Sequence, residues 1–155
     1  MKSDFLNKIN SSFKGRVTLN KELANLSWLN VGGKASIFFK AEDLNDLLNF
    51  IRDMKKFNVN IKTIGAGSNL LIRDGGFKGA IIKLGKNFSN FSLTKDSMII
   101  SGTAALDKKL SQFALENSLS GFEFLSCIPG SVGGGIQMNS GCYDHDISQI
   151  LLSVQ

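Results

Sequence analysis

Residues 63–76 read TIGAGSNLLIRDGG. Two apolar, strand-like pieces, Ile61–Ile64 and Leu70–Ile72, flank Gly65-Ala66-Gly67-Ser68-Asn69. Small residues let backbone N–H groups approach a ligand closely, and a run of such groups attracts anions. Two common phosphate motifs nevertheless fail here. A P-loop needs Lys and Ser/Thr after its last glycine. Lys34 follows Gly33, but Ala35 stands at the hydroxyl position. A dinucleotide fingerprint needs G-x-G-x-x-G opening a helix. Gly65 and Gly67 fit, but position 70 is Leu and a strand is expected to follow. Taken alone, the loop reads equally well as a tight glycine turn in which Ser68 and Asn69 bond their own backbone.

Working outward, SIFFK (36–40) reads as a strand, and EDLNDLLNFIRDMKKF (42–57) follows it. Leu44, Leu47, Leu48, Ile51, Met54 and Phe57 recur at the spacing of an amphipathic helix. Glu42, Asp43 and Asp46 at its start and Lys55 and Lys56 at its end suit the helix dipole. With strands at 61–64 and 80–84, the order predicts a parallel pair crossed by the helix. After residue 91 the architecture recurs. MIIS (98–101) reads as a strand, and LDKKLSQFALEN (106–117) as a helix with Leu106, Leu110, Phe113 and Ala114 on one face. Gly121 marks the turn after it. Then comes CIPGSVGGGIQMNSGCYD (127–144), with five glycines between 130 and 141. Three glycine passages, 32–33, 65–69 and 130–135, read as loops. The fold class is α+β, in two small α/β subdomains. The expected division is an N-terminal extension (1–16), a first subdomain (17–90) and a second, incomplete one (91–155).

Composition limits the function. At 155 residues the chain can bury a core, and 43% hydrophobic with 20% charged residues describes a globular protein. No run approaches the length of a membrane helix and the N-terminus lacks a signal-peptide core, so a cytoplasmic monomer is expected. The net charge of +5 comes from scattered lysines, never a run, while the 12 phenylalanines sit among apolar neighbours. That pattern argues against a nucleic-acid partner and for solvated lysines, with a phosphorylated small molecule left open. Cys127 and Cys142 make neither a disulfide framework nor a zinc site. His145, the sole histidine, lies in an Asp144-His145-Asp146 triplet that reads as a loop, so no metal or triad chemistry is expected.

The glycine passages, with Ser68, Asn69, Ser131 and Asn139 among them, predict a ligand cleft between the halves. A diphosphate held by N–H groups and hydroxyls would suit a resident cofactor.

Three stretches together carry a resemblance: WLNVGGKAS (28–36), IGAGSNLLIRDGGFKGAIIKL (64–84) and GFEFLSCIPGSVGGGIQMNSGCYD (121–144). In order and spacing the chain resembles, over roughly residues 17–155, the UDP-N-acetylenolpyruvoylglucosamine reductases, flavoenzymes of bacterial peptidoglycan synthesis. The resemblance implies the vanillyl-alcohol-oxidase-like (PCMH-type) fold and FAD as cofactor. It assigns Gly65, Ala66, Gly67, Ser68 and Asn69 to the FAD diphosphate, with Leu70 also among the cofactor-binding residues. Asn30, Val31, Gly32 and Gly33 fall close to the flavin. Ile128, Pro129, Gly130, Ser131, Val132, Gly133 and Gly134 line the cofactor from the second subdomain, and Met138, Asn139 and Gly141 pack near it. The implied reaction passes hydride from NADPH to FAD and then to the enolpyruvyl group of a UDP-sugar.

The Tyr-Arg-x-Ser motif, serine and glutamate that handle the substrate in that family have no counterpart here, so no catalytic residue is expected in this chain. Its end, ILLSVQ, reads as a strand cut short, and the substrate-binding domain is expected to be absent. Ser140 and Cys142 stand where small alanines are usual, and Asp144 where glycine is usual, which questions the geometry of that loop. The FAD-binding part of a longer enzyme, a stand-alone flavin or nucleotide module without catalysis, and a decayed, poorly folding product all remain open readings.

Overall fold

The apolar run AIIKL at 80–84 lies at the centre of a four-stranded sheet. A computed structural model of the chain describes residues 13–155, so most of the expected N-terminal extension lies outside the described residues. The chain divides into two units, Met1–Asn87 and Phe88–Gln155.

In the first unit β1 (Arg16–Glu22), β2 (Lys34–Ala41), β3 (Ile61–Ile64) and β4 (Phe77–Leu84) pair in the order β1-β2-β4-β3. β1 runs antiparallel to β2, while β2 and β3 both lie parallel to β4. The expected parallel pair is therefore split by β4. Ala80, Ile81 and Ile82 are all buried, so both faces of that strand are covered and it takes the centre. The expected strand at 70–72 does not form. That segment instead lies against residues 27 and 33, with the Ser27 hydroxyl donating to Leu70 O at 2.6 Å and Gly33 N–H to Arg73 O at 3.0 Å.

Helix α1 (Leu44–Lys56) begins at Asp43, whose carboxylate accepts from Asp46 N–H at 2.9 Å. Its buried residues are Asp46, Phe50 and Met54. Of the apolar stripe expected from the spacing, Met54 is buried and Leu47 and Ile51 are half-buried, while the face turns toward Phe50. Leu44, Leu48 and Phe57 are exposed. Phe50 decides the orientation by stacking on Phe39 of β2 at 4.1 Å. The carboxylate of Asp46 then accepts from Lys14 N–H at 3.0 Å and Gly15 N–H at 2.8 Å, tying the helix to the start of β1.

The second unit has only two short ribbons, so its strand layer is thinner than expected. β5 (Phe91–Leu93) and β6 (Ile99–Ser101) form one, and β7 (Gly141–Cys142) with β8 (His145–Asp146) the other. Helix α2 (Asp107–Glu116), a 3-10 turn (Glu123–Cys127) and α3 (Val132–Met138) complete it. Leu110, Phe124, Leu125, Val132 and Ile147 form its core with Ala105. The passage 130–135, expected to be a loop, runs into α3, and ILLSVQ forms no strand. Asp144-His145-Asp146 lies in the β7–β8 hairpin. Its turn holds Tyr143 at φ +53 and Asp144 at φ +61, the mirror-image geometry that favours Asn-Gly. The left-handed strain that the sequence raised at Asp144 is accepted, not avoided.

Candidate functional site

The structure brings the first-unit candidates together. Trp28 N–H donates to Gly67 O at 3.1 Å, so the 27–33 segment lies along the 65–70 loop. Gly67 is buried at φ +83, and a side chain there would collide with Leu26 O. Only glycine satisfies both demands. Asn30 holds a left-handed turn at φ +53, with its amide donating to Trp28 O. Gly32 faces Ile72, and Gly33 faces the Asp74–Gly76 turn. Gly76, at φ +66, lies against Lys34 and was not among the sequence candidates, although the pair Gly75-Gly76 was a visible turn signal.

The amide N–H groups of Ala66, Gly67, Ser68 and Asn69 donate to no acceptor among the described residues. Gly67 is the buried member of the four, and a buried N–H ordinarily finds a partner, so its amide is the donor most in need of one. Trp28, Leu29, Val31 and Leu71 add exposed apolar side chains on the adjoining segments. A donor-rich loop beside apolar surface suits a diphosphate joined to flat rings.

The second-unit candidates behave differently. Val132 N–H donates to Ala105 O at 2.8 Å and Gly133 N–H to Thr103 O at 2.9 Å. The first donors of α3 are thus consumed inside the unit. Ser131 is buried, Ile128 is half-buried, and Pro129 and Met138 are exposed. Asn139 ends α3 in the left-handed conformation at φ +45, its side-chain oxygen accepting from Ser148 N–H at 2.9 Å. Gly141 packs on Asp146 across the hairpin.

Beneath α3 lies a residue that sequence reasoning missed. Asp107 is fully buried, and neither carboxylate oxygen has a partner among the described residues. A side chain at Gly130 would collide with it, and one at Gly135 would lie 3.5 Å from both oxygens. Burial pushes its carboxyl up to about 6. Nothing in LDKKL distinguishes an aspartate facing inward from an ordinary first-turn acid.

A cleft of about 300 Å³ in the second unit is lined by Gly121, Glu123, Phe124, Cys127, Tyr143 and His145. None of the sequence candidates lines it. Burial raises the pKa of the Cys142 thiol beside it, with Cys127 adding to the shift. No group of three His, Cys, Asp or Glu able to hold a metal occurs among the described residues.

Residues 35–155 match the family model of the FAD-binding domain. The chain belongs to that family, and FAD is the cofactor that the motifs implied. More particularly, it is 44% identical to the UDP-N-acetylenolpyruvoylglucosamine reductase of Pelagibacter ubique, over all of this chain and 51% of that protein. With the reductase of Rickettsia bellii it shares 46% identity over 92% of this chain and 47% of the relative. The crystal structure of the reductase (MurB) from Thermus caldophilus matches with a TM-score of 0.68 at 29% identity, over 86% of this chain and 45% of that one. The chain spans about half the length of the curated relatives it matches. The resemblance drawn from the three motifs is borne out, as is the α+β, PCMH-type FAD-binding fold.

Proposed function

We propose that this chain is the FAD-binding portion of a cytoplasmic enzyme of peptidoglycan synthesis that reduces the enolpyruvyl group of a UDP-N-acetylglucosamine derivative, with NADPH as reductant. The observation that carries the reading is the row of free N–H groups at 66–69 beside exposed apolar surface, in a chain of the FAD-binding family. When bound, FAD supplies the hydride transfer, and the protein supplies binding and orientation. Ala66, Gly67, Ser68 and Asn69 would hold the diphosphate. The bonds from Ser27 to Leu70 and from Trp28 to Gly67 fix that loop, while Trp28, Val31 and Leu71 would offer apolar surface to the rings. The assigned second-unit residues, 128–134 with Met138, Asn139 and Gly141, would contribute by close backbone approach, since Val132 and Gly133 have no amide to spare. The Tyr-Arg-x-Ser motif, serine and glutamate expected to handle the substrate have no counterpart among these residues, so the chain alone is expected to bind FAD without turnover.

Trp28 is the sole tryptophan and adjoins Gly67, which makes the test direct. On addition of FAD its fluorescence is expected to fall, and the flavin absorbance to remain after gel filtration, with no NADPH-dependent consumption of the enolpyruvyl sugar. An unchanged fluorescence and a colourless, folded protein would overturn the reading.

A further inference from the structure

The glycine loop carries no cation of its own, yet the sheet register runs a row of three toward it, with Lys83 at its root. Lys83 of β4 pairs with Ile64 of β3, the residue immediately before Gly65. On the other side Lys83 pairs with Lys40 of β2, and Lys40 pairs with Arg16 of β1. Direct cross-strand partners project from the same face, so Arg16, Lys40 and Lys83 form one row ending at the root of the loop. That face also carries Phe38 and Ile81, Cα partners one pleat back, which form a core cluster with Leu23. Leu26, Ile64 and Ile72 of the surrounding segments pack on the same cluster. The loop segment and the cationic row therefore share a face.

Like charges directly opposed across a sheet are destabilising, and nothing within the described residues offsets them. The ion pairs present there are Lys14–Asp43 and Lys34–Glu22, neither of which involves the row. Lys83 is half-buried, which makes its charge costlier still. Burial, and then the neighbouring Lys40, hold its ammonium below the ordinary lysine range. A row of cations with no acidic partner among the described residues, exposed at Arg16 and Lys40 and half-buried at Lys83, is what an anion site requires.

We propose that Lys83 and Lys40, with Arg16 at the outer end, form a cationic subsite that receives the diphosphate of the dinucleotide held at Ala66–Asn69. For its ligand this inference rests on the FAD reading above. The N–H groups give the diphosphate its position, and the lysines give it charge compensation and a salt-dependent affinity.

Three probes separate the possibilities: FAD, riboflavin as a phosphate-free control, and inorganic pyrophosphate. Each is titrated into the wild type, Lys83→Met, and Lys40→Met/Lys83→Met, with Lys83→Arg as the conservative variant. Methionine keeps the apolar stem that packs on the sheet. The ligand-free variants are expected to unfold at or above the wild-type midpoint, because opposed charges have been removed. Lys83→Met is expected to weaken FAD and pyrophosphate about tenfold and the double variant more, flattening the salt dependence. Riboflavin binding is unmoved and Lys83→Arg retains affinity. Wild-type affinities for FAD and pyrophosphate in the double variant would overturn the subsite, as would a wild type that ignores pyrophosphate and binds FAD independently of salt. Lysine-dependent pyrophosphate binding without FAD binding would sustain the subsite while refuting the FAD reading.

Discussion

The two glycine passages, 65–69 and 130–135, look alike in sequence and do opposite things. In the first, Gly67 supplies a left-handed φ of +83 and lets Leu26 O come close, and the neighbouring N–H groups stay unbonded. In the second, no glycine has a positive φ. Its glycines are absent side chains that let α3 settle onto Thr103, Asp107 and Ile147, and its leading N–H groups are spent on residues 103 and 105. The first passage is built to present donors, the second to bring backbone close. A glycine count separates neither role. The φ angle and the fate of each N–H do.

The contrast breaks most visibly at Gly67. Gly67→Ala imposes a left-handed alanine and a clash with a backbone carbonyl, and is expected to cost about 4 kcal/mol in urea unfolding. The mutation is expected to abolish FAD retention as well.

Asp107, beneath the second passage, comes next. Its carboxyl is raised from 3.8 to about 6 in the folded chain by burial. Between those values the unfolded chain has lost the proton and the folded chain keeps it. Its contribution to stability is therefore complete below 3.8 and is lost as pH rises through about 6. The loss amounts to about 3 kcal/mol. Asp107→Asn keeps the shape and removes the titration. The difference between wild-type and variant unfolding free energies is expected to fall by that amount between about pH 4 and pH 7.

Smaller effects sharpen the account. Asp144→Gly relieves a left-handed residue in the β7–β8 turn and is expected to stabilise by about 1 kcal/mol, read as a higher thermal midpoint. At Gly135 an added methyl would lie in ordinary contact with both Asp107 oxygens at 3.5 Å and press on the Cδ1 end of Ile147, 2.5 Å away. That flexible side chain can yield while alanine favours the helix, so Gly135→Ala is expected to stay within about 1 kcal/mol of wild type. Equal penalties at Gly67 and Gly135 would refute the distinction between the passages.

Much of this was legible. Periodicity located α1 and α2, and apolar runs located β2, β3, β4 and β6. Motif spacing located the family. Pairing was not legible, because it depends on contacts far apart in sequence. β4 inserts between β2 and β3 because both its faces are covered, and β1 and β5 went unread although Val17 and Leu19 alternate with polar residues. The apolar stripe of α1 was right at Met54 and missed at Leu44, Leu48 and Phe57, because Phe50, outside it, found an aromatic partner in Phe39 and turned the buried face. Glycine density suggested a loop at 130–135, where tertiary packing against Asp107 and Ile147 holds a helix. The cationic row was invisible for the same reason as the strand order. Arg16, Lys40 and Lys83 are scattered in sequence, and only the register lines them up.

The central claim is that the free N–H groups at 66–69 hold the cofactor's diphosphate. Its most direct test follows the backbone amide resonances of the chain by NMR as FAD is added. Ala66, Gly67, Ser68 and Asn69 are expected to show the largest downfield shifts, as new hydrogen bonds form, and riboflavin is expected not to reproduce them. Bound FAD with those four amides unmoved would contradict it.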